Sequence, residues 1–599
     1  MKLSDYVIRF LVQQGVKHVF MLPGGGAMHL NDSLGTCPDI QYVCNLHEQA
    51  SAIAAEAYAR VGNNLGVAMV TTGPGGTNAI TGVAGAWLES TPCLILSGQV
   101  KRADMKRDLG VRQIGPQELD IVSIVQSITK YAVTVTDPQT IRYHLEKAVY
   151  LAKSGRPGPV WIDIPLDVQG GTIEPDDLAA FQSEAINRDL ASSDLRNDVA
   201  RVLEVLANSR RPVLLAGNGV RVSGAQEDFL RLVDRLNVPV LTTWMGTDLL
   251  PDAHPCFFGK PGTVAPRGPN FILQNADLLI SIGARLDFAV TGYDQAECAR
   301  GAKKVVVDID PAEIRKLGMD ITVPVVADAK LFLRQMWSQW GSRELPDITA
   351  WRKCCADWNS RYPVILPEYR EQKAYLSTYV LGDVLADELA GDELIIPGSS
   401  GAGIDRFWLS FRVKGSQRLF STGGLGAMGF GLPASIGGCV ASGRKKTISV
   451  DGDGGFQMNI QELQTVVRLN LPIKFFVLNN QGYASIRSSQ RSHFGRLVAC
   501  DGSCGLTLPD LVKVATAYGI PAFRLAEPAT LRQQVRAVLQ SPGPTVCDVL
   551  IDPEEVTQPR VSSAVRADGS MASRPLEDLW PFLDREELRA NMIVPPLED

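Results

Sequence analysis

Two short polar segments in the last third of the chain have the residue types that bind a metal ion and a phosphate. The first, Asp451-Gly-Asp-Gly-Gly, directly follows a β-branched strand pattern at residues 447–450. The second, Asn479-Asn, ends the apolar run at residues 473–478, and a helical pattern begins between them at Asn459. Because both segments end predicted strands of a βαβ unit, we expect them at adjacent strand ends.

The residue types at these strand ends suit a magnesium diphosphate. Asp453 and Asn480 each offer a hard oxygen ligand, and Mg²⁺ prefers such ligands, with diphosphate oxygens completing its octahedron. Gly452, Gly454 and Gly455 would let backbone N–H groups approach the phosphate at a helix start. A Gly-Asp-Gly triplet alone is most often a turn, but here 24 residues separate it from the Asn-Asn pair. This spacing predicts a cofactor site.

Glu48 is the candidate acid–base residue of the first third of the chain. It follows the strand-like run at residues 41–46 and precedes an Ala-rich helical pattern. An acid in the first turn of a helix interacts favourably with the helix dipole. The position alone therefore leaves a purely structural role open.

The elements that would position these residues form three blocks. The chain has 599 residues, which is too long for one core, and short apolar runs alternate with amphipathic stretches. That alternation predicts α/β domains with parallel sheets. We place the domains at residues 1–170, 195–335 and 377–552, joined by a polar, Asp-rich linker and by a second linker rich in Trp, Arg and Pro. We expect residues 553–599 to form an ordered arm, because this tail keeps many large apolar residues.

Composition excludes several classes of partner. Lys plus Arg number 59 against 65 for Asp plus Glu, and no basic run stands out, so we expect neither nucleic acid nor a membrane surface as a partner. The N-terminus has no secretory apolar core and no apolar run reaches membrane-spanning length, which favours a cytoplasmic protein. The 11 scattered cysteines are expected to be reduced thiols.

The chain resembles a known family from its N-terminus to about residue 552. The Gly-Asp-Gly to Asn-Asn spacing is the fingerprint of thiamine-diphosphate enzymes, and the whole chain resembles their acetolactate-synthase branch. The resemblance implies an α/β fold of three doubly wound parallel-sheet domains (pyrimidine-binding, central flavin- or nucleotide-type and diphosphate-binding) and a C-terminal arm. Further matching motifs begin at Pro23, His47, Gly73, Gly98, Gly423 and Asp308.

The resemblance also implies roles for individual residues. Glu48 would bond the pyrimidine N1′ of thiamine diphosphate and relay a proton, a general acid–base task, and Gln117 would lie in the same catalytic region. Met428 would sit under the bent cofactor. Gly482 would offer its carbonyl as a third metal ligand beside Asp453 and Asn480. Further cofactor contacts would come from the glycine-rich turns, which are otherwise simple turns, at Gly398, Ser399, Ser400 and Gly426.

The central block resembles the flavin-binding domain of acetolactate synthases, in which FAD is structural. Gly217 lies in one of its glycine turns, and Arg285 and Asp308 would contact the nucleotide. The alternative is that the domain is a relic without flavin, since Gly-x-Gly turns alone do not require a nucleotide.

Two departures from the family pattern fall on the acceptor substrate. Ala289 replaces an Arg that pairs with the carboxylate of the acceptor 2-oxo acid, and Ser489 replaces a Trp that selects the acceptor; Pro116, before Gln117, also replaces a Phe. Ala cannot reproduce a bidentate Arg–carboxylate contact. The departures favour a larger acceptor that is not a 2-oxo acid, as in carboligases that form yersiniose-type sugars.

The sequence thus predicts a carboligase that decarboxylates pyruvate, or a close 2-oxo acid, and transfers the acyl carbanion to a ketone or aldehyde. The alternatives are an acetolactate synthase that condenses two 2-oxo acids, a pyruvate oxidase or decarboxylase, and a cofactor-binding protein without catalysis. Expected cofactors are thiamine diphosphate, Mg²⁺ and FAD. By resemblance we expect a homodimer or homotetramer with active sites between subunits.

Overall fold

The structure, a computed structural model, describes residues 1–106, 109–182, 194–372, 374–399, 401–565 and 571–597. Its strands form three parallel sheets, each covered by helices on both faces, as expected for domains in which apolar strands alternate with amphipathic helices. The expected fold of three parallel-sheet α/β domains is confirmed; the domain boundaries given above stay predictions.

The first domain contains a sheet in the order β2-β1-β3-β4-β6-β5. Its strands are β1 (His18–Met21), β2 (Gln41–Cys44), β3 (Gly66–Val70), β4 (Cys93–Gln99), β5 (Tyr131–Thr134) and β6 (Val160–Pro165). Its helices are α1 (Leu3–Gln13), α2 (Met28–Thr36), α3 (Glu48–Gly62), α4 (Pro74–Leu88), α5 (Ile121–Val125), α6 (Ile141–Lys153) and α7 (Leu166–Gln169).

The central domain contains a sheet in the order β11-β10-β9-β7-β8. Its strands are β7 (Pro212–Ala216), β8 (Val240–Thr242), β9 (Leu278–Ile282), β10 (Lys303–Asp308) and β11 (Val323–Val326). Its helices are α8 (Leu195–Ala207), α9 (Gly219–Val222), α10 (Gln226–Leu236), α11 (Arg267–Asn275), α12 (Phe288–Thr291), α13 (Pro311–Arg315) and α14 (Ala329–Trp340). Two helices lead to the third domain, α15 (Thr349–Arg361) and α16 (Pro367–Glu371).

The third domain repeats the strand order of the first, β13-β12-β14-β15-β17-β16. Its strands are β12 (Leu394–Pro397), β13 (Arg418–Leu419), β14 (Thr447–Gly452), β15 (Ile473–Asn479), β16 (Ala522–Leu525) and β17 (Thr545–Leu550). Its helices are α17 (Thr378–Glu388), α18 (Ala402–Ser410), α19 (Gly431–Ala441), α20 (Asp453–Gln457), α21 (Leu463–Leu469), α22 (Ala484–Phe494), α23 (Leu511–Ala517) and α24 (Leu531–Gln540).

The C-terminal arm turns back onto the central domain. It contains the antiparallel pair β18 (Ser563–Val565) and β19 (Met571–Ser573) and the helix α25 (Arg585–Ala590). Asn275 anchors it, because its amide donates to the Asn591 carbonyl at 3.0 Å and accepts from the Ile593 N–H at 2.6 Å. Among the described residues, no helix is long and apolar enough to cross a membrane.

Helix α3 joins the first and third domains through small residues. A Cβ on Gly437 of α19 would lie 2.0 Å from the Ala54 carbonyl oxygen, so only glycine allows this approach. Next to α3, the Asn45 amide donates to Glu462 of the third domain at 2.9 Å. Apolar residues of both sheets, such as Phe20 and Val477, belong to one continuous core cluster. The two domains are therefore packed as one body.

Gly437→Ala should weaken this contact and destabilise the chain by about 1–3 kcal/mol, because the added methyl group forces the two helices apart. Thermal or urea unfolding of the full chain measures the change. Gly35→Ala is the matched control: Gly35 also lies in a helix, but nothing is within 4 Å of its Cβ position. That variant should be neutral or slightly stabilising. Equal free energies of unfolding for Gly437→Ala and Gly35→Ala would contradict the close contact between α3 and α19.

Candidate active site

Asp453 and Asn480 lie at neighbouring strand ends, as their positions in the sequence predict. Strands β14 and β15 pair in parallel, with Gly452 opposite Leu478, so the residues that follow them lie at the same edge of the sheet. Asp453 is the first residue of α20 and is buried, and Asn480 is also buried.

The Asp453 carboxylate accepts two backbone hydrogen bonds at this edge. The Gly454 N–H donates to Oδ1 at 2.8 Å and the Gly482 N–H donates to Oδ2 at 3.0 Å. Loss of water on burial outweighs these bonds and raises the pKa of Asp453 to about 7. A divalent cation beside it would favour the charged form of this carboxyl group.

Asn480 supplies a second oxygen that lacks a partner. Its Oδ1 is buried and makes no hydrogen bond with the described residues, while its backbone carbonyl accepts from Arg487 Nη2 at 2.9 Å. Gly482 adopts φ +135°, and a Cβ there would lie 2.2 Å from the Cys500 carbonyl oxygen. The structure therefore brings Asp453, Asn480 and Gly482 together, with oxygen atoms that a cation could satisfy.

The predicted diphosphate contacts line the neighbouring part of the same edge. A Cβ on Gly398, after β12, would lie 2.2 Å from an Asp451 oxygen, and one on Gly454 would lie 2.3 Å from the Tyr483 ring. Ser399 Oγ donates to the Ala427 carbonyl at 2.5 Å, which holds residues 398–399 beside the loop of Gly426 and Met428. Gly452 ends β14, Gly455 lies in α20, and Ser400 lies outside the described residues.

Glu48 lies at the start of α3 and is buried. Asn78 Nδ2 donates to its Oε2 at 3.0 Å, and no hydrogen bond to the described residues reaches Oε1. Oε1 faces the turn at residues 71–75, where a Cβ on Gly75 would lie 3.6 Å away. Gln117 adjoins the same turn, since Thr72 Oγ1 donates to its carbonyl at 3.0 Å, and it adopts φ +68°. Glu48 and Gln117 thus both lie beside the turn at residues 71–75.

Sequence reasoning missed Asn78 and Thr72, which connect these residues. Asn78 lies inside α4, and Asn is a poor residue for a helix interior unless its side chain has a specific partner. An Asn inside a helical pattern could therefore have indicated that Asn78 has a side-chain partner. Thr72 gave no comparable signal, because its bonds to Gln99 and Gln117 join segments far apart in the sequence.

Glu48 lies on the face of α3 that is directed toward α4 of the first domain rather than toward α19 of the third. It shares a helix face with Ala52 and Glu56, which contact Gly82 and Gly85 of α4. The face of α3 that contacts α19 is a different one. We call Asp453, Asn480 and Gly482 the strand-end group. Within the described residues of one chain, no hydrogen bond or ion pair joins Glu48 to this group.

A cavity of about 630 Å³ lies between the three domains. Arg285 and Asp308 line it, as do Ala289 and the diphosphate-side residues Gly398, Ser399 and Gly426. Arg285 is ion-paired with Asp287, and burial raises the pKa of Asp308.

Two residues singled out in the sequence do not line this cavity. Gly217 lies behind the lining, where a Cβ would be 2.3 Å from Ala284 Cα, and Ser489 is exposed on α22. Residues missed from the sequence include Lys153, Arg156 and Glu313.

Comparison with known proteins agrees with this arrangement. Successive segments match the descriptions "Thiamine pyrophosphate enzyme, N-terminal TPP binding domain" over residues 1–124, the central domain over 199–336 and the C-terminal TPP binding domain over 399–549. The chain is 33% identical to a probable acetolactate synthase large subunit of Methanocaldococcus jannaschii over 93% of both chains. The chain belongs to the thiamine pyrophosphate enzymes.

Other relatives in this family cover nearly the whole chain. The chain is 35% identical to acetolactate synthase 2, chloroplastic, of Zea mays, over 94% of this chain and 87% of that one. It is 32% identical to the acetolactate synthase large subunit of Cyanidium caldarium, over 93% and 94%. The protein is therefore an acetolactate synthase-like, thiamine-diphosphate-dependent enzyme that forms carbon–carbon bonds.

The residues present at the strand ends fit the cofactor of this enzyme family. The Asn480 oxygen, which has no partner among the described residues, and the desolvated Asp453 carboxylate suit a cation. The metal and the assigned contacts themselves stay predictions.

Asp453→Ala and Asn480→Ala should each lose metal-dependent binding of thiamine diphosphate while the chain stays folded, because they remove ligands rather than core. Cofactor content after gel filtration, with a thermal melt, measures this. Asn479→Ala is the matched control: the Asn479 amide donates to Asp548 at 2.8 Å and not to Asp453, Asn480 or Gly482. It should lose about 1 kcal/mol of stability and keep the cofactor. Full cofactor occupancy in Asp453→Ala would contradict the assignment.

Proposed function

We propose that the protein decarboxylates a 2-oxo acid and joins the remaining acyl unit to a second carbonyl compound. The observation that carries this proposal is the buried strand-end group of Asp453, Asn480 and Gly482, in which Asn480 Oδ1 has no hydrogen-bond partner among the described residues. The relatives named acetolactate synthase support the same chemistry.

Each residue has a distinct task in this proposal. Thiamine diphosphate, when bound, supplies the carbanion chemistry at its thiazolium ring. Asp453, Asn480 and the Gly482 carbonyl would hold Mg²⁺ for the diphosphate. Glu48 would hold and move a proton at the pyrimidine ring; Asn78 occupies Oε2 and leaves Oε1 available for that bond. Met428 would contact the cofactor and support its conformation.

We also propose that the cavity between the domains binds FAD. Its size is in the range of cofactor sites, and it is lined by backbone at Gly219 and Gly283 and by the polar side chains of Arg285 and Asp308. Arg156 reaches it from the first domain, paired with Asp310 at 3.1 Å. A flavin here would contact all three domains, which supports a structural role.

For the acceptor, two candidates are supported by different observations. The printed names of the relatives favour a second 2-oxo acid, as in acetolactate synthases. Ala289 favours an uncharged ketone or aldehyde, because it lines the cavity with a methyl group, and the two arginines among the described lining residues are both ion-paired. We take the second 2-oxo acid as the leading candidate, since near full-length similarity outweighs the departures at Ala289 and Ser489.

We further propose that the active site forms between two chains, in a homodimer or homotetramer. Among the described residues of one chain, no hydrogen bond or ion pair joins Glu48 to the strand-end group, which supports a second chain as its partner. Large apolar side chains are exposed near these elements, including Leu46 at 48%, Met458 at 47% and Leu425 at 38%. An exposed apolar group of this kind supports a protein–protein interface.

Glu48→Gln should lower turnover by about 10²- to 10⁴-fold, the usual contribution of general acid–base catalysis. Cofactor binding should change far less, because the third domain holds the diphosphate. Steady-state rates and cofactor content measure the two effects. Glu56→Gln, two turns further along the same helix face, is the control and should alter stability more than turnover. Near-normal turnover in Glu48→Gln would contradict the assignment of Glu48 as the acid–base residue.

The acceptor is tested by supplying pyruvate alone and pyruvate with an uncharged ketone or aldehyde. The leading candidate predicts that the wild type condenses two pyruvates at least as readily as it uses the uncharged compound. If Ala289 decides the acceptor instead, the wild type should prefer the uncharged compound, and Ala289→Arg should shift preference toward 2-oxo acids by about 10- to 150-fold, from roughly 1.5–3 kcal/mol of charge-assisted bonding. Ala296→Arg adds the same charge outside the cavity lining and should shift nothing. Efficient condensation of two pyruvates by the wild type would leave acetolactate synthase as the activity.

A further inference from the structure

Two thiols and a carboxylate converge beside the predicted magnesium loop. Cys500 Sγ and Cys504 Sγ are 3.6 Å apart, and Asp501 Oδ1 is 3.5 Å from Cys504 Sγ. Within the described part of the chain, Cys500, Asp501 and Cys504 offer three ligand atoms that all lie within 4.8 Å of one another, close enough to hold one metal ion. None of these three residues has a part in the proposed reaction.

These spacings match a tetrahedral thiophilic cation. With Zn–S distances of about 2.3 Å and a Zn–O distance of about 2.1 Å, tetrahedral geometry requires S···S of about 3.8 Å and S···O of about 3.6 Å. The observed separations of 3.6 and 3.5 Å differ from these by only about 0.1 to 0.2 Å. The third pair, Cys500 Sγ and an Asp501 carboxylate oxygen, lies within 4.8 Å, so an ion could be placed between the three atoms once the Asp501 side chain adjusts.

The surrounding hydrogen bonds are those expected around metal-bound ligands. The N–H groups of Cys500 and Asp501 donate to Cys504 Sγ at 3.2 and 3.3 Å, which stabilises negative charge on that sulfur. Ser503 N–H and Oγ donate to Asp501 Oδ1 at 3.0 and 2.6 Å and fix its orientation. Such outer contacts orient ligands and tune their basicity.

We propose that Cys500, Asp501 and Cys504 bind a thiophilic divalent cation of the Zn²⁺ type, with water at the fourth position. Cys504 and Asp501 are partly exposed, which gives the ion access, while Cys500 is buried. Binding displaces the two thiol protons to solvent and forms two metal–sulfur bonds and one metal–oxygen bond.

The site is placed to fasten the segment that follows the predicted magnesium ligands. The Tyr483 N–H donates to the Cys500 carbonyl at 2.8 Å, and Arg487, which bonds the Asn480 carbonyl, also contacts Asp501 at 3.4 Å. A cation at residues 500–504 would therefore fix the turn that accepts these bonds, and with it the C-terminal end of the segment 482–500, which contains α22. This role does not depend on the identity of the substrates.

The test uses the reduced, full-length protein, freed of metal by a chelator and supplied with excess Mg²⁺. Titration with Co²⁺ should give one thiolate-to-cobalt absorption band per chain, and Zn²⁺ should remove it by competition. An ion bound only by oxygen ligands at Asp453 gives no such band. Cys500→Ser and Cys504→Ser should each abolish the band, whereas Cys37→Ser, which alters a partly exposed thiol of the first domain, should leave it unchanged.

A second measurement covers the case in which a cysteine variant does not fold. Asp501→Asn keeps both thiols and the side-chain size, and should weaken Co²⁺ binding by at least about 10-fold with an unchanged melting curve. Zn²⁺ should also slow tryptic cleavage after Arg496 in the wild type. The proposal is overturned if the folded wild type shows no thiolate band, or if the band persists in both folded cysteine variants.

Discussion

The candidate site depends on one constraint, the burial of a carboxylate at the end of a parallel strand. Asp453 has lost most of its water, and its backbone hydrogen bonds do not compensate, so its pKa rises to about 7. Beside it, Asn480 Oδ1 is buried without a partner among the described residues. Such a group costs free energy in the isolated chain, and a cation at this position would stabilise it.

The parts of this site that are local in sequence could be predicted from the sequence. Asp453 and Asn480 follow adjacent buried strands, and parallel pairing necessarily brings such strand ends together. Contacts between distant segments could not be predicted in this way: Asn78 binds Glu48 across two helices, and Gly217 lies behind the cavity lining because β7 and β9 converge at Ala284. The fold was predictable because alternating apolar and amphipathic stretches have few other solutions.

Two sheets with the same strand order divide the proposed chemistry between them. The first positions Glu48, and the third positions the strand-end group around Asp453. Helix α3 uses one face to pack on the third domain of its own chain and another to present Glu48 toward α4. Tight packing at Gly437 and Ala54 fixes that orientation.

The central claim is that Glu48 of one chain serves the Asp453 group of another. Its most direct test is to co-express Glu48→Gln and Asp453→Ala chains with different affinity tags and to purify the mixed dimer. One of its two sites would then contain both wild-type residues, so the account predicts about half of the wild-type turnover from two inactive parents. A mixed dimer as inactive as its parents, or failure of the chains to associate, would contradict the account.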